Sequence, residues 1–323
     1  NYTVVFAPRA GHHSNIAERV AIFMREQGLT RIAIVEQKCA DQIPLYVDGK
    51  RHWERFEGQL AQYREILQCL KNLSGYPSHL VAICQPGPLL MSTAIRYPEL
   101  AKTFGSAGSP MDTEADEGFL TDFARAMGPH YIEVLFSLFG NHIGPDKPGN
   151  GRLSYDGAFH VLGFYLLGME HHIKNFKQLY SDLLTRRDDS AEKQIRFYKW
   201  YNYVIHFPEG FIRDTYQKIF VHNQLANGTL MIGGEPVRMS DYPGQVPIWA
   251  MGGQRDNIAP AGQAVGHLKR ITSVPESDRL SIICPAGHMG LFRSTQILRN
   301  YYPKVVSFLL ACSDMVDEGN NSR

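Results

Sequence analysis

Short apolar runs followed by amphipathic stretches fill both ends of this chain and restrict its fold more than any other feature. Tyr2–Phe6, Arg31–Val35 (RIAIV) and His79–Ile83 (HLVAI) each precede a helix-like segment: Ser14–Gln27, Trp53–Leu73 and Gly87–Arg96. Near the far end, Val246–Met251 (VPIWAM) precedes Ala261–Arg270, and Leu280–Cys284 (LSIIC) precedes a long closing helix over Arg293–Leu310. A run this short with no polar face reads as a strand covered on both sides. Strands of that kind belong to parallel sheets, whose crossovers are helices. Ser14 or Asn15 is placed to cap the first helix.

Between residues 113 and 243 the strand signals disappear. That stretch is helical and rich in aromatics, including Phe119, Phe123, Phe159, Phe164, Phe197, Tyr198 and Trp200. It contains a loop at Asp146–Gly151 and a charged turn or helix end at Arg186-Arg187-Asp188-Asp189. The expected organisation is an α/β core over 1–112 and 244–323, with a helical cap inserted over 113–243. The aromatics suit ordinary core packing, with a share lining an apolar pocket.

Composition narrows the class of function. Of 323 residues, 44% are hydrophobic and 20% charged, enough to build a sizeable core, and the formal net charge is only +1. Lys and Arg are dispersed, which argues against a nucleic-acid or anionic-membrane surface. The longest membrane candidate, Ala158 to Met169, contains His160 and falls short of the roughly 20 residues a span requires. The opening residues read as a strand with no basic leader before it. There is no initiator Met, so residues ahead of Asn1 are expected to be missing. The five cysteines are odd in number and lack C-x-x-C spacing, which suits free thiols in a reducing compartment. The expectation is a soluble, cytoplasmic protein.

The strongest chemical signal is Ala82-Ile83-Cys84-Gln85-Pro86-Gly87. A nucleophile elbow needs a strand, a sharp turn carrying the nucleophile, and then a helix. Ala82 is small, and Pro86 is tolerated where the first helical turn leaves N–H groups unpaired anyway. A thiol at a helix N-terminus has its anion favoured by the helix dipole. A buried structural cysteine is the competing reading.

Two later segments supply partners. Asp256 follows VPIWAM in Gly252-Gly253-Gln254-Arg255-Asp256-Asn257, and His288 follows LSIIC in Ala286-Gly287-His288-Met289. Both lie beyond strand carboxyl ends, where α/β sheets place their sites, and the order nucleophile, acid, base is the one an elbow of this kind uses. Together they point to an α/β-hydrolase fold: a mostly parallel sheet flanked by helices and carrying the cap. Cys84 is expected to attack a carbonyl carbon, His288 to move the proton, and Asp256 to orient His288. The oxyanion calls for N–H donors, expected from Gln85 and from the loop Arg9-Ala10-Gly11, with the choice between Arg9 and Ala10 open. Asp112, closing the strand-like run Phe104–Met111, is a second candidate for the acid. The pairs His12-His13 and His171-His172 lack a carboxylate or cysteine at ligand spacing, so no metal and no cofactor are expected.

These residues resemble the intracellular polyhydroxyalkanoate (polyhydroxybutyrate) depolymerase family across nearly the whole chain. The likeness is carried by Phe6-Ala7-Pro8 through Gly11-His12, by Asp41-Gln42-Ile43-Pro44-Leu45, and most specifically by Cys84-Gln85-Pro86. Gly108-Ser109-Pro110-Met111-Asp112-Thr113, Asp256 with Gln263, and Gly287-His288-Met289-Gly290-Leu291-Phe292 extend it. Glu36-Gln37 departs from it, standing where an Asp-Trp pair is expected. The resemblance implies hydrolysis of a storage polyester by a Cys84–His288–Asp256 triad, with His12, Asp112 and Phe292 at the substrate pocket. It implies a hydrophobic polyester granule or oligomer as partner, and leaves granule association and a homo-oligomer open. Asn227-Gly228-Thr229-Leu230 through Gly234-Glu235-Pro236-Val237 is also similar to polyhydroxyalkanoate synthases, which transfer the acyl group from a coenzyme A thioester. An acyltransferase or acyl-CoA thioesterase is therefore one alternative, and a non-catalytic binder of a polymer surface another. Cys-Gln-Pro at the elbow and the unbroken set of three residues favour the hydrolase.

Overall fold

The computed structural model describes residues 1–10 and 14–314. Six strands form the central sheet: β1 (Thr3–Phe6), β2 (Ile32–Val35), β3 (Ser78–Ile83), β4 (Ala101–Ala107), β5 (Ile248–Gly253) and β6 (Arg279–Cys284). Their spatial order is β6-β5-β4-β3-β1-β2, and every pairing is parallel. Side chains alternate across each strand, so successive residues enter different cores. Leu80 and Ala82 of β3 pack into one core, Val81 and Ile83 into the other. Val4 and Phe6 of β1 part from Val5 in the same way.

Helices cover both faces. On one lie α1 (Asn15–Glu26) and the closing helix (Thr295–Cys312), contributing Val20, Met24, Val305 and Leu309. On the other lie α2 (Phe56–Ser74) and α3 (Gly87–Arg96), contributing Leu60, Tyr63, Leu90 and Met91. One close approach explains a glycine inside a strand. Gly105 of β4 is paired in register with Trp249 of β5, whose indole is fully buried. A Cβ at 105 would lie 1.8 Å from that ring.

The segment 113–243 is mostly helical but does contain strands. It holds α4 (Phe119–Met127), α5 (Tyr131–Phe139), α6 (Gly157–Leu167), α7 (Met169–Leu184) and α8 (Asp188–Tyr201). Gly140–His142, Leu153–Tyr155 and Phe207–Pro208 form a small antiparallel sheet, and Leu230–Ile232 pairs with Glu235–Val237. These strands are two or three residues long, too short for an alternating pattern to register in sequence, which is why the stretch reads as strand-free. The aromatics build two small cores of their own: Ile132, Phe136, Tyr155, Phe207 and Phe211 in one, Val161, Tyr198 and Tyr201 in the other. Ile219, Leu225, Leu230, Ile232 and Val237 instead join the main core under α2 and α3.

Some expected elements differ in detail. The closing helix runs over Thr295–Cys312, within two residues of the expected Arg293–Leu310, and is preceded by a short unexpected helix, His288–Arg293; Ser294 lies between them, and its hydroxyl accepts from the Ile297 N–H. The helix expected over Ala261–Arg270 is α-helical only over Ala261–Val265 and tightens to a 3₁₀ turn over Gly266–Lys269. Ser14 stands at the N-cap of α1, but its hydroxyl donates to the Pro8 carbonyl and does not cap the helix. Among the described residues, no helix is long and apolar enough to cross a membrane.

Candidate active site

β3 ends at Ile83, and the next residue, Cys84, turns the chain with φ +63°. A side chain in that left-handed region costs on the order of 1–2 kcal/mol, so the surroundings must hold it there. The Cys84 N–H donates to the Ala107 carbonyl at 2.8 Å, tying the turn to the end of β4. Helix α3 begins at Gly87, against the loop beyond β4. A Cβ at 87 would lie 2.5 Å from the Ser109 Cβ and 2.7 Å from the Met111 sulfur. Glycine three residues after the turn lets the helix start close enough to aim its N-terminus at Cys84.

Asp256 and His288 arrive from the two loops beyond β5 and β6. Those loops are bonded to each other: Gln254 N–H donates to the Cys284 carbonyl at 2.8 Å, and Arg255 N–H to the Ala286 carbonyl at 3.0 Å. Asp256 Oδ1 accepts from the backbone N–H groups of Ile258 and Ala259 at 2.9 and 3.0 Å. That fixes the carboxylate and leaves Oδ2 to accept from His288 Nδ1 at 2.7 Å. A carboxylate can only accept, so Nδ1 carries a proton. The other ring nitrogen, Nε2, stands 3.2 Å from Cys84 Sγ. The Phe292 ring meets the imidazole edge-on with centroids 5.5 Å apart. Burial by itself lowers the His288 pKa, but negative charge at Cys84 and Asp256 and the hydrogen bonds to both outweigh it. The net effect holds the pKa well above its usual 6.5.

The expected residues divide into two groups. Cys84, Asp256 and His288 come together in one hydrogen-bonded chain. Asp112, the competing acid, does not reach His288. It accepts from Asn223 Nδ2 at 2.9 Å and pairs with Arg270, and these partners hold its pKa low against a burial that would raise it. The expectation of Asp112 as the orienting acid is therefore corrected: its oxygens are occupied elsewhere. Nor does Asp112 line either of the cavities at Cys84. Phe292 is fully buried and backs the imidazole from within the core. His12 and Gly11 lie outside the described residues. His171 and His172 line the large cleft, with His172 Nδ1 bonded to the Tyr198 hydroxyl at 3.0 Å. Among the described residues, no group of three His, Cys, Asp or Glu could hold a metal ion.

On the expected oxyanion side, the Arg9 N–H donates to the Gln85 side-chain oxygen at 3.4 Å. Among the described residues the Gln85 N–H itself has no acceptor. Sequence reasoning missed what anchors this loop. The Arg9 guanidinium is buried, ion-paired with Glu54 at 3.2 Å and stacked 5.0 Å from the Phe211 ring centroid. Glu54 also accepts from Gln62 at 2.8 Å and contacts His52. The one trace in sequence is an arginine in the otherwise apolar stretch Ala7-Pro8-Arg9-Ala10.

Two cavities meet at Cys84. A cleft of about 740 Å³ lies between the core and α6–α8, lined by Ala10, His288, Arg293, Phe164, Leu167 and Tyr201 among others. A smaller pocket of about 40 Å³ is lined by Cys84, Gln85, Phe56, Leu89, Thr215 and Phe220 among others.

A family model described as "PHB de-polymerase C-terminus" matches residues 108–313, more than half of the chain. A search of the curated proteins finds no match. Solved structures show the same fold at low identity. A soluble variant of monoglyceride lipase from Saccharomyces cerevisiae, in complex with a substrate analog, aligns with TM-score 0.56 at 12% identity, over 97% of this chain and 88% of its own. A monoacylglycerol lipase of Paleococcus ferrophilus aligns with TM-score 0.51 at 14% identity, over 97% of this chain and 95% of its own. An alpha/beta hydrolase enzyme from a Medee basin deep-sea metagenome library aligns with TM-score 0.51 at 12% identity, over 99% and 92%. The sheet order, the flanking helices and these likenesses make the fold that of an α/β hydrolase.

Proposed function

The chain belongs to the family described as PHB de-polymerase C-terminus and is a carboxylic ester hydrolase, and on that premise we propose that it is a thiol-type polyhydroxybutyrate depolymerase. The observation that carries this reading is the chain of contacts from Asp256 through His288 to Cys84, at 2.7 and 3.2 Å.

In the proposed reaction the Cys84 sulfur attacks the ester carbonyl, and His288 takes the thiol proton and delivers it to the departing alcohol. A thioester forms, and His288 then draws a proton from the water that cleaves it. Asp256 holds the imidazole in the correct tautomer and stabilises its cation, as the raised His288 pKa suits. The oxyanion is assigned to the free Gln85 N–H together with the Ala10 N–H. Ala10 is preferred over Arg9 because the Arg9 N–H is already given to the Gln85 side chain. The segment 113–243 is proposed as the cap, with α6–α8 roofing a largely apolar cleft suited to a polyester chain.

The test is release of 3-hydroxybutyrate from amorphous polyhydroxybutyrate by wild type and by Cys84→Ala. Release by wild type alone is the expected result. Equal release by both would make Cys84 structural. If wild type releases nothing from the polymer but frees coenzyme A from 3-hydroxybutyryl-coenzyme A, the reading moves to an acyltransferase or thioesterase.

A further inference from the structure

The two permanent charges on the walls of the large cleft, Arg255 and Arg293, are both positive, and His171, His172 and His288 stand with them. Among the described residues lining it there is no Asp or Glu. Asp256, behind His288, is taken up by the imidazole and by its own turn. The interior of a polyester is neutral and offers only ester oxygens, so a neutral chain brings nothing to balance such a wall.

Arg293 is the cation most in need of a partner. It closes the short helix that begins at His288. Its guanidinium carbon lies 5.1 Å from the ring centroid of Phe197, itself a wall of the cleft, and 4.7 Å from that of Trp200. Nη1 donates to Asn15 Oδ1 at 2.8 Å. Nε and Nη2 have no hydrogen-bond partner among the described residues, and neither is shut away from solvent. Nor does a described carboxylate pair with the guanidinium: Glu18 meets the other end of the Asn15 amide, at 3.5 Å from Nδ2. Burial lowers the Arg293 pKa, and the like charge of Arg19 lowers it further. The two ring faces offset part of the cost of a half-buried cation but supply no acceptor in the plane of the guanidinium. The open Nε–H and Nη2–H form the parallel fork that a carboxylate or phosphate meets with two oxygens. Arg255 is exposed, and its Nη2 donates to the Pro285 carbonyl at 2.7 Å.

We propose that Arg293, with Arg255 as a second cation of the same cleft, binds an anion carried on the leaving group of the substrate, so that the enzyme favours short acyl compounds with a charged leaving group over the neutral interior of a polymer. The inference rests on the thiol-hydrolase reading given above. In a short oligoester of a hydroxyacid the acyl side ends in a neutral hydroxyl, and the alcohol side ends in a free carboxylate. In a coenzyme A thioester the phosphates are likewise on the leaving side. The chemistry is shared, and the substrates below separate the two sources.

One pair of substrates is the 3-hydroxybutyrate dimer as the free acid and as its methyl ester. The other is 3-hydroxybutyryl-coenzyme A and the neutral N-acetylcysteamine thioester of the same acid. Wild type should show a kcat/KM at least about tenfold higher for the charged member of a pair, the worth of one charge-assisted hydrogen bond. A preference for the free-acid dimer assigns the anion to a terminal carboxylate, and one confined to the coenzyme A thioester assigns it to phosphate. A ratio near one in both pairs would overturn the proposal with no variant needed. Arg293→Gln should bring the ratio to within about threefold of one, through a higher KM for the charged substrate. Arg293→Lys, which keeps the charge without the fork, should restore part of it. Arg255→Gln should lower the ratio less, by about two- to threefold, as suits an exposed cation. A fall on both members of a pair with the ratio kept would make Arg293 a strut between α1 and α8 and overturn its assignment. Failure of wild type to hydrolyse any of the four substrates would instead bring down the hydrolase reading, and this inference with it.

Discussion

Adjacent parallel strands β4 and β5 each deliver a buried aspartate shortly past their carboxyl ends, and the two carboxylates have opposite fates. Beyond β4, Asp112 is enclosed by Asn223 and Arg270, and Asn223 Oδ1 in turn accepts from the Thr113 N–H at 3.0 Å. The result is a clamp joining three distant parts of the chain. Beyond β5, Asp256 gives one oxygen to backbone N–H groups of its own turn and keeps the other for His288. Proximity to a strand end places a carboxylate near a site. Which groups occupy its oxygens decides whether it can act there.

The largest expected effect tests this difference directly. Asp256→Asn should keep the fold but lower ester hydrolysis about a thousandfold, because an amide no longer fixes the His288 tautomer. The same substitution at 112 should leave activity per folded molecule within a few-fold. Steady-state kinetics on both variants decides it, and the reverse ranking would exchange the roles assigned here.

The buried histidines extend the contrast. His288 is bonded to Asp256 and Cys84 and has a raised pKa, while burial pushes His79 and His267 down to about 4. A histidine kept neutral in the folded state stabilises it above its unfolded pKa of about 6.5, and this is lost as pH falls below that value. His288 acts in the opposite sense, and only above pH 6.5, so it does not mask the effect. His79 and His267 together should cost about 2 kcal/mol between pH 6.5 and 5.5, and about 1 kcal/mol each over the next unit, levelling off as pH falls through their folded pKa of about 4. Urea unfolding across this range should show that slope, and His79→Gln should remove about half of it.

The smallest effect belongs to the clamp. Asp112→Asn should lower stability by about 1–2 kcal/mol, since Arg270 is partly exposed and water replaces its partner. A change below a few tenths of a kcal/mol in denaturant unfolding would mean that the clamp holds nothing.

Much of this molecule was legible in its sequence. Strands announce themselves as apolar runs even at the sheet edges, where β2 and β6 are only partly covered, so β1, β2, β3, β5 and β6 stand within a few residues of where the runs lie. Cys84, Asp256 and His288 were legible because each follows such a run, and the structure brings them into contact. The short strands of 113–243 left no pattern, and the short helix His288–Arg293 reads as a loop in sequence. The ion pair of Arg9 with Glu54 left only an isolated arginine as its trace.

Sequence alone determined the layering, because hydrophobic periodicity is a local property that each segment carries by itself. It also determined the order of the three candidate residues along the chain. Only the tertiary structure decided which aspartate meets His288, since Asp112 is claimed by Asn223 and Arg270, 111 and 158 residues away along the chain. Partnership and its absence depend on residues far apart in sequence, and no local pattern encodes where those residues meet.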